Sequence, residues 1–210
     1  MGPRRHEVLG PVRDSWKIVA TIPVGEPAPL IERGASLHVL FICTGNICRS
    51  PMAERLAAAY GAQLQIPNFN VSSAGTRAMV ASPIHPDAAV VLERLGGDAS
   101  DFAARRFTPN IGLQADLVLT MTRAHRDTVL EVAPRILRKV FTLTEAELLI
   151  SQFNPRDVSD LGGLRSYVAA HDLTDILDPI GQDAEFFARV GSQIASVLPP
   201  VLEFCRSLPD

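Results

Sequence analysis

The feature that most constrains this chain is a short apolar run that passes through a tight polar loop into a helix. His38-Val39-Leu40-Phe41-Ile42 is largely apolar and carries β-branched residues, as expected of a strand buried on both faces. It leads directly into Cys43-Thr44-Gly45-Asn46-Ile47-Cys48-Arg49-Ser50. Pro51 then opens a helix through Met52-Ala53-Glu54-Arg55-Leu56-Ala57, because proline is tolerated in a first helical turn. A helix N-terminus leaves backbone N–H groups unpaired, and those groups favour anions. A loop wrapped around that end can aim successive N–H groups at the oxygens of a phosphate. Gly45 permits close backbone approach, and Asn46 tolerates the left-handed conformation that a tight cradle requires.

The rest of the chain alternates strands and helices. Phe69-Asn70-Val71-Ser72-Ser73 reads as a strand stopped by Gly75. A helix is expected from Pro86 to about Leu95, closed by Gly96-Gly97. Ala115–Met121 reads as a third strand, followed by a helix from Arg123 to Val132 that ends before Pro134. Lys139–Leu143 reads as a fourth strand, with Thr144 and Glu147 spaced as a capping box. Residues 154–176 suggest a helical insertion or a long mobile loop around Gly162-Gly163. A last amphipathic helix puts Phe186, Val190, Ile194, Val197 and Val201 on one face, with Pro199-Pro200 expected to kink or restart it. This alternation predicts an α/β domain: a four-stranded parallel sheet with helices on both faces. Ligands bind such sheets beyond the carboxyl ends of the strands, where the Cys43 loop lies.

Composition bounds the function. With 210 residues and 47% hydrophobic content, one domain is expected over 36–210. Residues 1–35 carry Pro3, Pro11, Pro23, Pro27 and Pro29 without a sustained period, and read as an extension, partly disordered or draped on the domain. A net charge of -3 argues against a nucleic-acid or anionic-membrane partner. Arg4-Arg5 and Arg105-Arg106 read as solvated pairs, the second a candidate for steering an anion. Three cysteines point to a reducing compartment and a cytoplasmic location. The N-terminus lacks the apolar segment of a secretory signal, and His6 departs from a myristoylation pattern. No stretch is long and apolar enough to span a membrane.

The loop carries chemistry as well as charge. A helix N-terminus and a nearby guanidinium favour a nucleophilic thiolate over a thiol, which makes Cys43 the candidate nucleophile. Arg49 offers a planar fork for two phosphate oxygens. Ser50 is placed to donate its hydroxyl to the Cys43 sulfur. A proton donor for the leaving group is also needed. Asp178, stiffened by Pro179 before the last helix, is the candidate, with Asp175 as its competitor. His38, His85, His125 and His171 lack metal-ligand spacing and read as structural or surface, so no metal and no cofactor are expected. Cys205 reads as a core residue. Cys48 reads either as a small buried loop residue or as a redox partner that protects Cys43 through a reversible disulfide.

Val39 through Glu54 resembles the signature of the low-molecular-weight protein tyrosine phosphatases, in their bacterial form. Ser72-Ser73-Ala74-Gly75-Thr76, Ala115–Met121 and Asp178-Pro179 extend the likeness over about residues 37–206. The resemblance implies a metal-free phosphatase acting on phosphorylated protein. In it Cys43 is the nucleophile and Arg49 the phosphate binder. Ser50 stabilises the thiolate, Asp178 is the general acid, and Asn46 holds the loop Thr44-Gly45-Asn46-Ile47-Cys48-Arg49 in shape. Three positions depart from the best-known members: Ile180 where tyrosine-specific members often have Tyr, Met79 where an aromatic wall is common, and Phe102 where many have His. Ala115–His125 and Val140–Leu143 also resemble the protein arginine phosphatase branch, but that branch typically has Thr where this chain has Ile47. An aryl phosphate such as phosphotyrosine is therefore the expected substrate, with phosphoarginine the alternative. A thiol-dependent arsenate reductase shares the loop but needs relay cysteines, and none lies between Cys48 and Cys205. A non-catalytic phosphate-binding module would need neither Cys43 nor Asp178.

Overall fold

The computed structural model describes residues 36–169 and 173–208. The extension expected over 1–35, and His171, lie outside the described residues. Four strands, β1 (Leu37–Cys43), β2 (Phe69–Gly75), β3 (Leu117–Thr120) and β4 (Val140–Thr142), form one sheet in the order β2-β1-β3-β4. Every pairing is parallel, and the register sets Cys43 opposite Gly75. The helices are α1 (Arg49–Gln63), α2 (Pro86–Arg94), α3 (Pro109–Gln114), α4 (Arg123–Val132), α5 (Leu143–Phe153), α6 (Val158–Leu164) and α7 (Ala184–Ser207). Alternate residues of β1 face opposite cores. Val39 and Phe41 pack with Met52, Leu92, Ile194 and Leu202, whereas Leu40 and Ile42 pack with Val118, Val129 and Val140. β1 is thus buried on both faces, which is why its sequence reads as a nearly continuous apolar run.

Several expectations shift. β3 and β4 are each shorter than the apolar runs that announced them. The short helix α3 was not anticipated; its Thr108 cap, whose hydroxyl oxygen accepts the Ile111 N–H at 3.3 Å, and Pro109 are its local signals. The capping box of α5 uses Thr142 and Glu145 rather than Thr144 and Glu147. Glu145 is buried and also accepts from Arg126 Nη1 at 3.2 Å and Arg165 Nε at 3.0 Å. A buried carboxylate needs such partners, so the frame shifts two residues to supply them. The 154–176 stretch contains α6 and a single 3₁₀ turn, Arg165–Tyr167. Pro199 and Pro200 sit inside α7, which runs unbroken past them. Its buried face runs through Phe187, Val190, Ile194, Leu198, Val201 and Cys205, so Phe187 rather than Phe186 begins it. Among the described residues no helix is long and apolar enough to cross a membrane.

Candidate active site

The loop after β1 is held from outside. The carbonyls of Cys43, Thr44, Gly45 and Ile47 accept N–H groups from Thr76, Arg77, Met79 and His85, at 2.9, 2.9, 2.9 and 2.7 Å. A trans peptide points its carbonyl and its following N–H in opposite directions. Turning these carbonyls outward therefore turns the N–H groups of Thr44, Gly45, Asn46 and Cys48 inward. Asn46 adopts φ 55°, the left-handed conformation expected of it. Gly75 has no room for a side chain, because a Cβ there would lie 2.5 Å from the Thr44 carbonyl oxygen. The N-cap position of α1 is Cys48, with no side-chain cap and no acidic residue in the first turn. The first turn of α1 thus supplies no anion of its own to the helix's positive end.

The sulfur sits at the end of a buried chain of hydrogen bonds. Cys43 Sγ is 3.0 Å from Ser50 Oγ. Asn46 Oδ1 accepts the Arg105 backbone N–H at 2.8 Å, which turns the amide's two hydrogens toward the serines. They reach Ser50 Oγ at 3.0 Å and Ser73 Oγ at 2.7 Å. Ser73 passes its own proton to Glu54 Oε2 at 2.5 Å. By the same logic the Ser50 proton is free for the Cys43 sulfur. Burial pushes the Glu54 carboxyl above its ordinary value, against the hydrogen bond from Ser73.

Arg49 and Asp178 meet at the mouth of this loop. Arg49 Nη2 lies 2.7 Å from Asp178 Oδ2, with the two side chains 4% and 51% exposed. Arg49 Nη1 donates to the Ile176 carbonyl at 3.1 Å. Its Nε is buried with no hydrogen-bond partner among the described residues. Asp175 is committed elsewhere, accepting the Arg123 N–H at 2.9 Å at the start of α4. Of the two candidate acids, the structure brings Asp178 to the loop.

His125 was read from sequence as structural or surface, and it is buried against the loop. Its Nε2 is 2.8 Å from Thr44 Oγ1 and its Nδ1 2.9 Å from Thr122 Oγ1. Burial, then the Arg49 charge, lowers its pKa from 6.5 to about 4. The unfolded chain therefore takes up a proton below pH 6.5 that the folded chain refuses until about pH 4. Stability is expected to fall across that window by about 3 kcal/mol and to level off below it. Urea unfolding at pH 7 and pH 4 checks this, since His125→Gln should lose that part of the pH dependence.

Other residues fall into place around this centre. Cys43, Cys48 and Cys205 are all buried, and no disulfide joins them. Burial, with Cys43 and Asp178 nearby, pushes the Cys48 thiol up to about 12. Arg105 is exposed, as read from the sequence, and it also braces the loop through its N–H and donates Nε to the Ser73 carbonyl at 2.8 Å. Phe102 lies under the Arg55 guanidinium, 5.7 Å from its ring centre, and Arg105 supplies the donor to Asn46. Met79, Leu177 and Ile180 are exposed. Sequence reasoning assigned no task to Glu54 or Ser73, read Gly75 only as a strand stop and Arg105 only as a solvated or steering charge, and gave His125 no part in the site. Glu54, Ser73 and Gly75 lay inside quoted motifs, whereas Arg105 and His125 carried no local signal for their tasks.

Comparison with known proteins agrees with this geometry. The profile of the Low molecular weight phosphotyrosine protein phosphatase family matches residues 38–206. The low molecular weight protein-tyrosine-phosphatase Etp of Escherichia coli K12 is 36% identical over 101 residues, 48% of this chain and 65% of its own length. This chain thus matches just under two thirds of that relative. The protein-arginine-phosphatase of Geobacillus stearothermophilus is 30% identical over 166 residues, 79% of this chain and 94% of its own. The crystal structure of a low molecular weight protein tyrosine phosphatase from T. tengcongensis superimposes with a TM-score of 0.64 at 28% identity. That alignment covers 80% of this chain and 99% of that one. A matched profile across the whole sheet, and a cysteine loop built as described, mean that the chain belongs to the low molecular weight phosphotyrosine protein phosphatase family.

Proposed function

We propose that the chain hydrolyses phosphorylated side chains of proteins through a phosphocysteine on Cys43. The observation that carries this reading is the convergence of Cys43, Arg49 and Asp178 on one loop, with Arg49 Nη2 2.7 Å from Asp178 Oδ2. In the first step the Cys43 sulfur forms the S–P bond while the P–O ester bond breaks. The leaving oxygen takes its electron pair and a proton from Asp178. In the second step Asp178 accepts a proton from water, water oxygen bonds phosphorus, and sulfur departs as thiolate. Ser50, 3.0 Å away, eases that departure with its hydroxyl. Arg49 and the inward amides of Thr44, Gly45, Asn46 and Cys48 stabilise the charge on the phosphoryl oxygens, with Ile47 completing the loop. Asn46 keeps the loop in its left-handed turn.

An ion-paired carboxylate holds no proton to give. Asp178 must part from Arg49 before it acts as an acid: an incoming phosphoryl dianion supplies the competitor that parts them, and the freed carboxylate takes from solvent the proton it passes to the leaving oxygen. The apolar rim favours phosphotyrosine or a similar aryl phosphate over phosphoarginine. Ile47 in the loop, with exposed Met79, Leu177 and Ile180, offers apolar contact to a ring. Paired phosphotyrosine and phosphoarginine peptides of one sequence test this, with kcat/KM expected to favour phosphotyrosine by about 10-fold or more. A preference for phosphoarginine reverses the assignment. We place the enzyme in the reducing cytoplasm, where Cys48 serves as a slow redox partner of Cys43 because its own thiol stays protonated.

A further inference from the structure

We infer that His125 is a positioning residue for this reaction, tying the Thr44 hydroxyl of the phosphate loop to the turn from which the acid segment hangs. The inference rests on the phosphatase reading above. The turn is Met121-Thr122-Arg123. Its Met121 N–H donates to the Ile42 carbonyl at 2.9 Å, one residue before the nucleophile. The Met121 carbonyl accepts the Ile176 N–H at 2.9 Å, and the Arg123 N–H donates to Asp175 at 2.9 Å. Ile176 in turn offers its carbonyl to Arg49. One turn therefore touches the end of β1 and the segment that carries Asp178. The remaining link, from this turn to the loop itself, is the imidazole.

The ring is fitted for that link. Thr122 caps α4, its hydroxyl oxygen accepting the His125 backbone N–H at 3.1 Å. The same oxygen lies 2.9 Å from Nδ1, while Nε2 reaches Thr44 Oγ1 at 2.8 Å across 81 residues of sequence. A neutral imidazole has one donor and one acceptor nitrogen, so it bridges two hydroxyls in either tautomer. Burial and the Arg49 charge keep the ring neutral down to about pH 4. A threonine at the second position of a phosphate loop is thereby fixed relative to a carboxylate three residues beyond Asp175.

Glutamine places an amide near the Nε2 position and can still reach Thr44, whereas asparagine reaches only as far as Nδ1. His125→Asn and Thr44→Val should each slow phenyl phosphate hydrolysis about 10-fold, with smaller losses on p-nitrophenyl phosphate. The double variant should be no slower than either single one, because both remove the same bond. His125→Gln should stay within about threefold of the parent enzyme. A structural defect alone would slow both substrates equally and would multiply in the double variant. Equal losses on the two substrates, multiplying losses, or a glutamine variant as slow as the asparagine one overturn the inference. An inactive parent enzyme overturns the phosphatase reading instead, so the two failures are distinct.

Discussion

Replacing Cys43 with Ser should abolish hydrolysis of p-nitrophenyl phosphate, by about 10⁴-fold or more, while inorganic phosphate still binds. The two halves of that expectation have different physical origins. Binding draws on the inward amides, the open end of α1 and Arg49, none of which the substitution touches. Turnover draws on the sulfur, the one nucleophile at the end of β1. A serine hydroxyl gives up its proton far less readily, and the group bonded to position 43 is the Ser50 hydroxyl, which is no general base. Initial-rate assays beside isothermal titration with phosphate check both halves. Substantial turnover by Cys43→Ser would refute the covalent mechanism. Loss of phosphate binding with retained fold would refute the cradle.

Asp178→Ala should slow turnover by about 10²- to 10⁴-fold on phenyl phosphate and much less on p-nitrophenyl phosphate. The nitrophenolate leaves readily without a proton, whereas phenolate does not. Asp175→Ala should instead loosen the turn at Arg123, with a loss that does not grow with leaving-group basicity. If Asp175→Ala reproduces the leaving-group effect, the acid has been misassigned.

The site was legible where it was local. A strand buried on both faces, a loop with Gly45 and Asn46, and a helix opening at Pro51 are all written in neighbouring residues. Asp178 could be singled out because Pro179 marks the turn, although only the fold separates it from Asp175. What could not be read depends on tertiary contact. Arg105 serves Asn46 through a backbone N–H, a group that every residue except proline possesses, so its identity gave nothing away. His125 looked like an ordinary helix residue because its partner Thr44 is 81 positions distant. The capping box of α5 failed for a related reason. Thr142-Glu145 and Thr144-Glu147 fit the local pattern equally, and the choice falls to Arg126 and Arg165, which reach only Glu145. In α7, burial of Leu198, Val201 and Leu202 on either side of Pro199-Pro200 holds the helix through a pair that alone would break it.

On the proposed mechanism the contact between Arg49 and Asp178 would also set how tightly product is held. A phosphate ion entering the loop meets a guanidinium that already has a carboxylate on one nitrogen and a carbonyl on another. Its apparent dissociation constant is the intrinsic one divided by the fraction of molecules in which Arg49 is free. The internal carboxylate therefore acts as a standing competitive ligand. Under the proposed reaction it would weaken the grip on free phosphate after each turnover and return the loop to its resting state as the ion departs.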